Sequence, residues 1–256
     1  MRRAELFLVS VAATMLLFVG GAVIGGQRPG ARARPSKPKP LLASGAVVDS
    51  LERLPLRSYK RIADLPRDTM QMLRMIRDDR DAYYREYTRG APTVFRWPTH
   101  QRQVIRVWID RAPAVDPWNP NFADIVEGAF GEWTAAGFPM RFDFLPDSAS
   151  ADLHVRWIRN FAEEGVLGSA ERALHGYWIT GGLVTIATRD FNGMAMTPAM
   201  IHSTARHEIG HALGLDHVPD PESIMFPLSV AVTITPRDRA TMNLLYALPP
   251  GRLPTP

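Results

Sequence analysis

An eleven-residue stretch in the C-terminal part of the chain limits the possible folds more than any other feature. Residues 207–217 read HEIGHALGLDH. On an α-helix His207 and His211 lie one turn apart, so both imidazoles project from the same face. Gly214 can adopt the positive φ that ends a helix sharply, after which the chain can turn back and bring in His217. The stretch therefore predicts a helix, a tight turn and three imidazoles directed at one point.

This arrangement of imidazoles is typical of a metal site with a chemical role. His207, His211 and His217 supply three ligands and leave a fourth position open, as in catalytic rather than structural zinc sites. Glu208 is close enough to serve as the general base toward a zinc-activated water without being a ligand itself. The sequence thus predicts one catalytic Zn²⁺ ion. The sequence leaves a calcium site open, although the paired acidic residues that would support one are sparse.

Composition excludes several other kinds of protein. The 256 residues are 46% hydrophobic and 22% charged, which is ordinary for a globular protein with a sizeable core. The net charge of +4 comes without any nucleic-acid-reading motif, so no nucleic-acid partner is expected. The chain has no cysteine, which rules out disulfides, thiolate zinc ligands and a cysteine nucleophile.

The N-terminal region is predicted to direct the protein out of the cytoplasm. Residues 6–26 carry no charge and would span about 32 Å as a helix. We therefore expect residues 1–26 to be either a cleaved signal peptide or a membrane anchor, and both alternatives stay open. The protein would be secreted, or held at the membrane through residues 6–26 with its main domain outside the cytoplasm.

Two further segments precede the main domain. Residues 27–44 are rich in proline, arginine and lysine and are predicted to form a disordered basic linker. Residues 45–92 are predicted to be a partly helical pre-domain, with a helix from about Pro66 to Tyr87. The charges at 77–81 in this pre-domain either form an ordinary solvated face, or the segment is a pro-segment or lid over the active site.

Residues 93–250 have the pattern of one α+β domain, followed by a tail at 251–256. An amphipathic helix lies between the first two predicted strands, and proline after threonine marks the start of the motif helix and of a C-terminal helix. The predicted strands are residues 103–110, 140–144, 152–158 and 183–188.

At this point the sequence resembles the matrixins, a branch of the metzincin zinc metalloproteases. The resemblance rests on HEIGHALGLDH at 207–217, on SIMFP at 223–227, on AFGEWTAAGFPMRFDF at 129–144 and on LLYALPP at 244–250. It implies a zincin-like fold with a twisted mixed sheet of about five strands, a long active-site helix and a C-terminal helix. It also implies that Met225 forms the Met-turn, which packs beneath the metal site. By the same resemblance, the fourth predicted strand, 183–188, is expected to pair with an extended peptide by strand addition.

Some family features are missing. Val218 stands where matrixins carry serine or threonine, and no cysteine is present to block zinc from a pro-segment. The family's second zinc site needs a histidine–aspartate pair, whereas this stretch offers only His154 and His175. A second zinc is therefore not predicted.

The resemblance implies a zinc-dependent endopeptidase that hydrolyses peptide bonds of exported or extracellular proteins. Its partner would be a peptide or protein substrate; the sequence does not fix the oligomeric state. The alternative is a catalytically silent metzincin-like domain used for binding or as a scaffold at the cell surface. The presence of Glu208 favours the enzyme, because a binding module has no use for a general base.

Overall fold

The computed structural model describes residues 7–11, 74, 76, 81–83, 93–99, 103–227, 231 and 233–252. All of them belong to one compact unit, formed by residues 1–17 and 58–256. The predicted linker at 27–44 and most of the pre-domain lie outside the described residues. These assignments stay predictions.

The described chain forms a six-stranded sheet, a two-stranded sheet and three long helices. The large sheet has the order β1-β6-β7-β5-β3-β4, in which β1 and β6 are antiparallel to their neighbours and the other pairs are parallel. The strands are β1 Phe7–Val11, β2 Thr93–Val94, β3 Val104–Ile109, β4 Arg141–Phe144, β5 Leu153–Ile158, β6 Gly168–His175, β7 Trp178–Ala187 and β8 Gly251–Arg252. The helices are α1 Asn121–Ala135, α2 Pro198–Ala212 and α3 Pro236–Ala247.

The core lies between the sheet and the helices. Along β3 the side chains of Ile105, Val107 and Ile109 are buried while their neighbours are half-buried, the alternation expected of a strand with one covered face. Helix α2 packs against α1, β6 and β7. The indole of Trp133, on α1, is fully buried and donates its N–H to the carbonyl of Arg206 on α2 at 2.9 Å. A buried indole with its N–H satisfied fixes how the two helices meet.

The predicted α+β class and the mixed sheet are confirmed, but the prediction of which strand pairs with a peptide is wrong. The strand predicted at 183–188 belongs to β7, which lies between β5 and β6. Both of its backbone edges are already hydrogen-bonded, so it has none to offer a peptide. The next strand outward, β6, pairs with β7 on one side and with β1 on the other, and it is not among the predicted strands.

The N-terminal strand differs from the helix expected for residues 6–26. Phe7–Val11 pairs antiparallel with β6, in a register that runs from Phe7 opposite Leu174 to Val11 opposite Ala170. No helix among the described residues is long and apolar enough to cross a membrane. Residues 12–26 lie outside the described part, and the assignment of 1–26 as signal peptide or anchor stays a prediction.

The C-terminal boundary also differs slightly from the prediction. Gly251 and Arg252, expected to begin a tail, form β8 and pair antiparallel with Thr93 and Val94. The ends of the predicted domain are therefore joined to each other, and residues 251 and 252 belong to it.

The pre-domain contributes a tyrosine to the core of the main domain. Asp81–Tyr83 form a bend and turn, so the helix predicted as far as Tyr87 is wrong at these residues. Tyr83 is 1% exposed; its hydroxyl donates to Asp220 Oδ2 at 3.0 Å, and its backbone N–H donates to Thr241 Oγ1 at 2.8 Å. The guanidinium of Arg237 lies 4.0 Å from the centre of the phenol ring. This part of the pre-domain is built into the fold beside α3.

The buried phenol predicts a specific loss of stability at high pH. Burial, together with the hydrogen bond to Asp220, raises the pKa of Tyr83 from 10 to about 12. The folded state therefore holds this proton more tightly than the unfolded state. Its contribution to stability is complete below pH 10 and is lost as the pH rises toward 12. In Tyr83→Phe the free energy of unfolding should fall less steeply over this range than in wild type.

Urea unfolding at several values between pH 9 and pH 12 measures this difference. Tyr177→Phe is the matched control, because Tyr177 is an exposed tyrosine. Equal slopes for wild type and Tyr83→Phe would contradict the inferred burial of the phenol.

Candidate metal centre

Local sequence signals fix both ends of the helix that carries the motif. Thr197 Oγ1 accepts the backbone N–H of Met200 at 3.2 Å, and Pro198 occupies the first helical position. Beyond the other end Gly214 has a φ of +110°. A Cβ at this position would lie 2.5 Å from the carbonyl oxygen of Phe95. The predicted sharp turn thus requires glycine for its conformation and for the close approach of the neighbouring chain.

The turn brings the three predicted histidines together. The Nε2 atoms of His207 and His211 are 3.1 Å apart, and each lies 3.2 Å from Nε2 of His217. Ligand nitrogens bound to one tetrahedral zinc at its usual bond length lie about 3.3 Å apart. Within the described residues this is the one cluster of three or more potential ligand side chains arranged to hold a metal ion. The set has the donor type and spacing that zinc requires.

Backbone carbonyls orient two of the imidazoles. His207 Nδ1 lies 2.6 Å from the carbonyl oxygen of Ile224, and His211 Nδ1 lies 2.8 Å from that of Leu215. A carbonyl can only accept, so Nδ1 carries the proton in each ring and Nε2 presents its lone pair to the centre.

Burial keeps these imidazoles neutral. It lowers the pKa of His207 to about 4, assisted by the neighbouring His217 and opposed by the hydrogen bond to Ile224. It also holds the pKa of His211 well below its usual range. A metal ion therefore need not displace a proton from either ring at neutral pH.

Glu208 is fully buried beside the histidines. Neither of its carboxylate oxygens has a hydrogen-bond partner in the part of the chain that the structure describes. Burial raises the pKa of this carboxyl well above its usual range. An isolated buried carboxyl is costly unless a cation or a polar ligand compensates it. Its position therefore fits a site that holds a metal ion and a water molecule.

The predicted Met-turn lies directly beneath the helix. Met225 is buried, and a Cβ added to Gly210 would come within 2.5 Å of its Sδ atom. Gly210 is thus the residue that allows the methionine to pack against α2 between the two helical histidines. The structure brings Met225 to the predicted place, and its supporting role stays a prediction.

A buried aspartate in the first turn of α3 holds the Met-turn in place. Asp238 is 1% exposed and forms a capping box with Thr235 at the start of α3. Its carboxylate also accepts the hydroxyl of Ser223 at 2.5 Å and the backbone N–H of Ile224 at 3.2 Å. Since the carbonyl of Ile224 orients His207, the Asp238 carboxylate supports the candidate metal centre indirectly, by holding Ile224 in place.

Strand β6, which lies between β1 and β7, contacts the site at Gly168, a residue that the sequence pattern did not single out. A Cβ added to Gly168 would lie 2.6 Å from Glu208 Cγ, 2.7 Å from Glu208 Oε1 and 2.7 Å from Thr204 Cγ2. The backbone of β6 therefore passes directly against the candidate base. A lone glycine inside a strand indicates a close approach of this kind, but β6 was not predicted.

The remaining candidate histidines lie elsewhere. His154 Nε2 lies 3.0 Å from the carbonyl oxygen of Ser148, an ordinary structural contact. His202 Nε2 lies 2.8 Å from Glu132 Oε1, at the contact between α1 and α2. Neither belongs to the cluster of His207, His211 and His217.

Comparison with known proteins identifies a matching family and two similar proteins. The family model described as Matrixin matches residues 109–247, which include every residue of the candidate site. Metalloendoproteinase 1-MMP from Arabidopsis thaliana is 29% identical over 111 residues, covering 39% of this chain and 29% of the relative. Metalloendoproteinase 2-MMP from the same plant is 28% identical over 177 residues, covering 61% and 44%. The chain spans less than half the length of either relative.

Proposed function

Because the chain belongs to the matrixin family, we propose that it is a zinc-dependent endopeptidase. The observation that carries the proposal is the convergence of three imidazole Nε2 atoms beside the fully buried Glu208. Its substrates are proposed to be exported or extracellular proteins, on the strength of the uncharged run at residues 6–26. The silent binding domain is disfavoured, since it would bury an unpaired carboxyl to no purpose.

The residues that would hold the zinc ion are His207, His211 and His217. Three neutral imidazoles leave the double positive charge of the ion intact, and such a zinc acts as a Lewis acid that brings the pKa of water to about 7. The Nδ1 hydrogen bonds of His207 and His211 keep two of these rings in one tautomer and one orientation.

Glu208 supplies the acid–base chemistry. A nearby cation favours the carboxylate form and so opposes the effect of burial on its pKa. Glu208 then accepts a proton from the water that attacks the scissile carbonyl carbon, and delivers that proton to the departing amine. Since Glu208 is fully buried, bulk water does not compete for this proton.

The edge of β6 is proposed to align the substrate. Residues 7–11 pair antiparallel with Ala170–Leu174, so this edge accepts an extended segment. A peptide that takes this pairing in place of β1 and continues along the strand would pass Gly168, whose backbone lies against Glu208. Main-chain hydrogen bonds of this kind suit a peptide substrate of varied sequence.

Metal removal tests the proposed function. The purified full chain is expected to contain about one zinc and to cleave members of a broad peptide library. Dialysis against a chelator should remove both the zinc and the cleavage, and added Zn²⁺ should restore both. Cleavage that continues after elemental analysis shows the metal to be gone would overturn the proposal. A zinc-loaded chain that cleaves no peptide would favour the binding domain.

A further inference from the structure

Arg172 is a buried cation that the proposed chemistry does not use. Its side chain on β6 is 3% exposed, and its Cζ atom lies 5.8 Å from the centre of the Phe95 ring. Within the described part of the chain, its buried Nε and Nη1 atoms have no hydrogen-bond partner. Burying a guanidinium in this way is costly, and its charge is close enough to act on His211. An apolar side chain at this position would bury no charge and would not act electrostatically on His211.

The contact that Arg172 does make leads to the metal centre. Its Nη2 atom donates to Asp216 Oδ1 at 3.0 Å. Asp216 lies between two residues on which the histidine cluster depends. The carbonyl of Leu215 orients His211 at 2.8 Å, and the next residue is His217. A restraint on Asp216 therefore acts on two of the three imidazoles.

The same strand also touches the candidate base. Gly168 and Arg172 are both buried and four residues apart, so they lie on the same face of β6 about 13 Å from each other. The backbone at Gly168 lies against Glu208, while Arg172 reaches the loop after helix α2. Through these two contacts β6 fixes the base and the third histidine relative to one rigid element.

We infer that Arg172 is a positioning residue for the metal centre. Through its ion pair with Asp216 it holds residues 215–217 in the arrangement that presents His217 and orients His211. The inference rests on the proposed zinc site and adds a supporting residue to it. Partners of this kind, one layer behind the ligands, typically change metal affinity by about 10- to 100-fold when removed.

The test measures zinc binding by the full chain and does not depend on turnover. Arg172→Met keeps an unbranched, shorter side chain but removes its charge, and Asp216→Ala removes the acceptor. Each is expected to raise the zinc dissociation constant by about 10- to 100-fold in competition with a chromophoric chelator. The double variant should bind zinc as tightly as the weaker-binding single variant, because both substitutions remove the same ion pair. Arg172→Lys, which keeps the charge, should lie between wild type and Arg172→Met.

A spectroscopic readout separates positioning from general stability. With Co²⁺ in place of Zn²⁺, the visible d–d spectrum reports the arrangement of the three nitrogens, and it should change in Arg172→Met and Asp216→Ala. The matched control is Asp124→Ala on helix α1, which removes an exposed ion pair between Asp124 and Arg111. This variant should keep the wild-type affinity and spectrum.

The outcomes distinguish this inference from the proposed function. If wild type binds zinc and both variants bind it equally well with an unchanged Co²⁺ spectrum, Arg172 has no positioning role and the proposed function stands. If wild type binds no zinc, both are overturned. Should Arg172→Met fail to fold, Asp216→Ala decides alone, since the side chain of Asp216 is 45% exposed and water can take its place beside the guanidinium.

Discussion

Glu208→Gln is expected to keep its zinc and to lose peptide hydrolysis by a factor of about 10² to 10⁴. Glutamine has nearly the same size and shape as glutamate, so the three imidazoles and their orienting carbonyls should be undisturbed. It cannot, however, take a proton from water at neutral pH. The side chain is fully buried and both carboxylate oxygens lack a partner among the described residues, so no neighbouring group is placed to take over the role.

The measurement combines the zinc content with kcat on a peptide that the wild type cleaves. Glu127→Gln is the matched control, because Glu127 lies on the exposed side of α1 in an ion pair with Arg111. It should cleave at the wild-type rate. A zinc-loaded Glu208→Gln that cleaves as fast as wild type would show that another group acts as base.

The histidine cluster was predictable because its geometry is almost entirely local. The helix repeat places His207 and His211 on one face, and Gly214 adopts the φ of +110° that lets the chain turn back. The threonine caps of α2 and α3 also follow from neighbouring residues. Within such short stretches, backbone geometry alone determines which side chains meet.

The supporting residues were not predictable, since they depend on contacts between distant parts of the chain. Asp238 is recognisable in the sequence as a helix cap, but its bonds to Ser223 and Ile224 depend on how α3 packs. Nothing in the sequence marks Arg172 as a supporting residue, because an arginine is normally expected on the solvent-exposed surface. Because this arginine occupies a buried position, GSAERALH lacks the alternation of apolar and polar residues that would identify β6 as a strand.

The missed strand also changes how the site is understood. The sequence identifies the candidate ligands and the candidate base on one helix and its following turn. The structure shows that β6 limits the space available to the base at one end and reaches the third histidine's loop at the other. The position of the candidate base therefore depends on a strand that carries none of the candidate metal ligands.

Gly168→Ala tests this dependence with a single added carbon. A Cβ at this position would lie 2.6 Å from Glu208 Cγ and 2.7 Å from Thr204 Cγ2, closer than carbon atoms can pack, so the base or the strand must move. Because a displacement of about 1 Å can cost about 10²-fold in rate, we expect kcat to fall by about that factor while one zinc per chain is retained. Gly128→Ala on α1 is the matched control, since its Cβ would meet nothing within 4 Å. That variant should be fully active and slightly more stable, because alanine suits a helix better than glycine. An unchanged kcat in Gly168→Ala would mean that β6 does not set the position of Glu208.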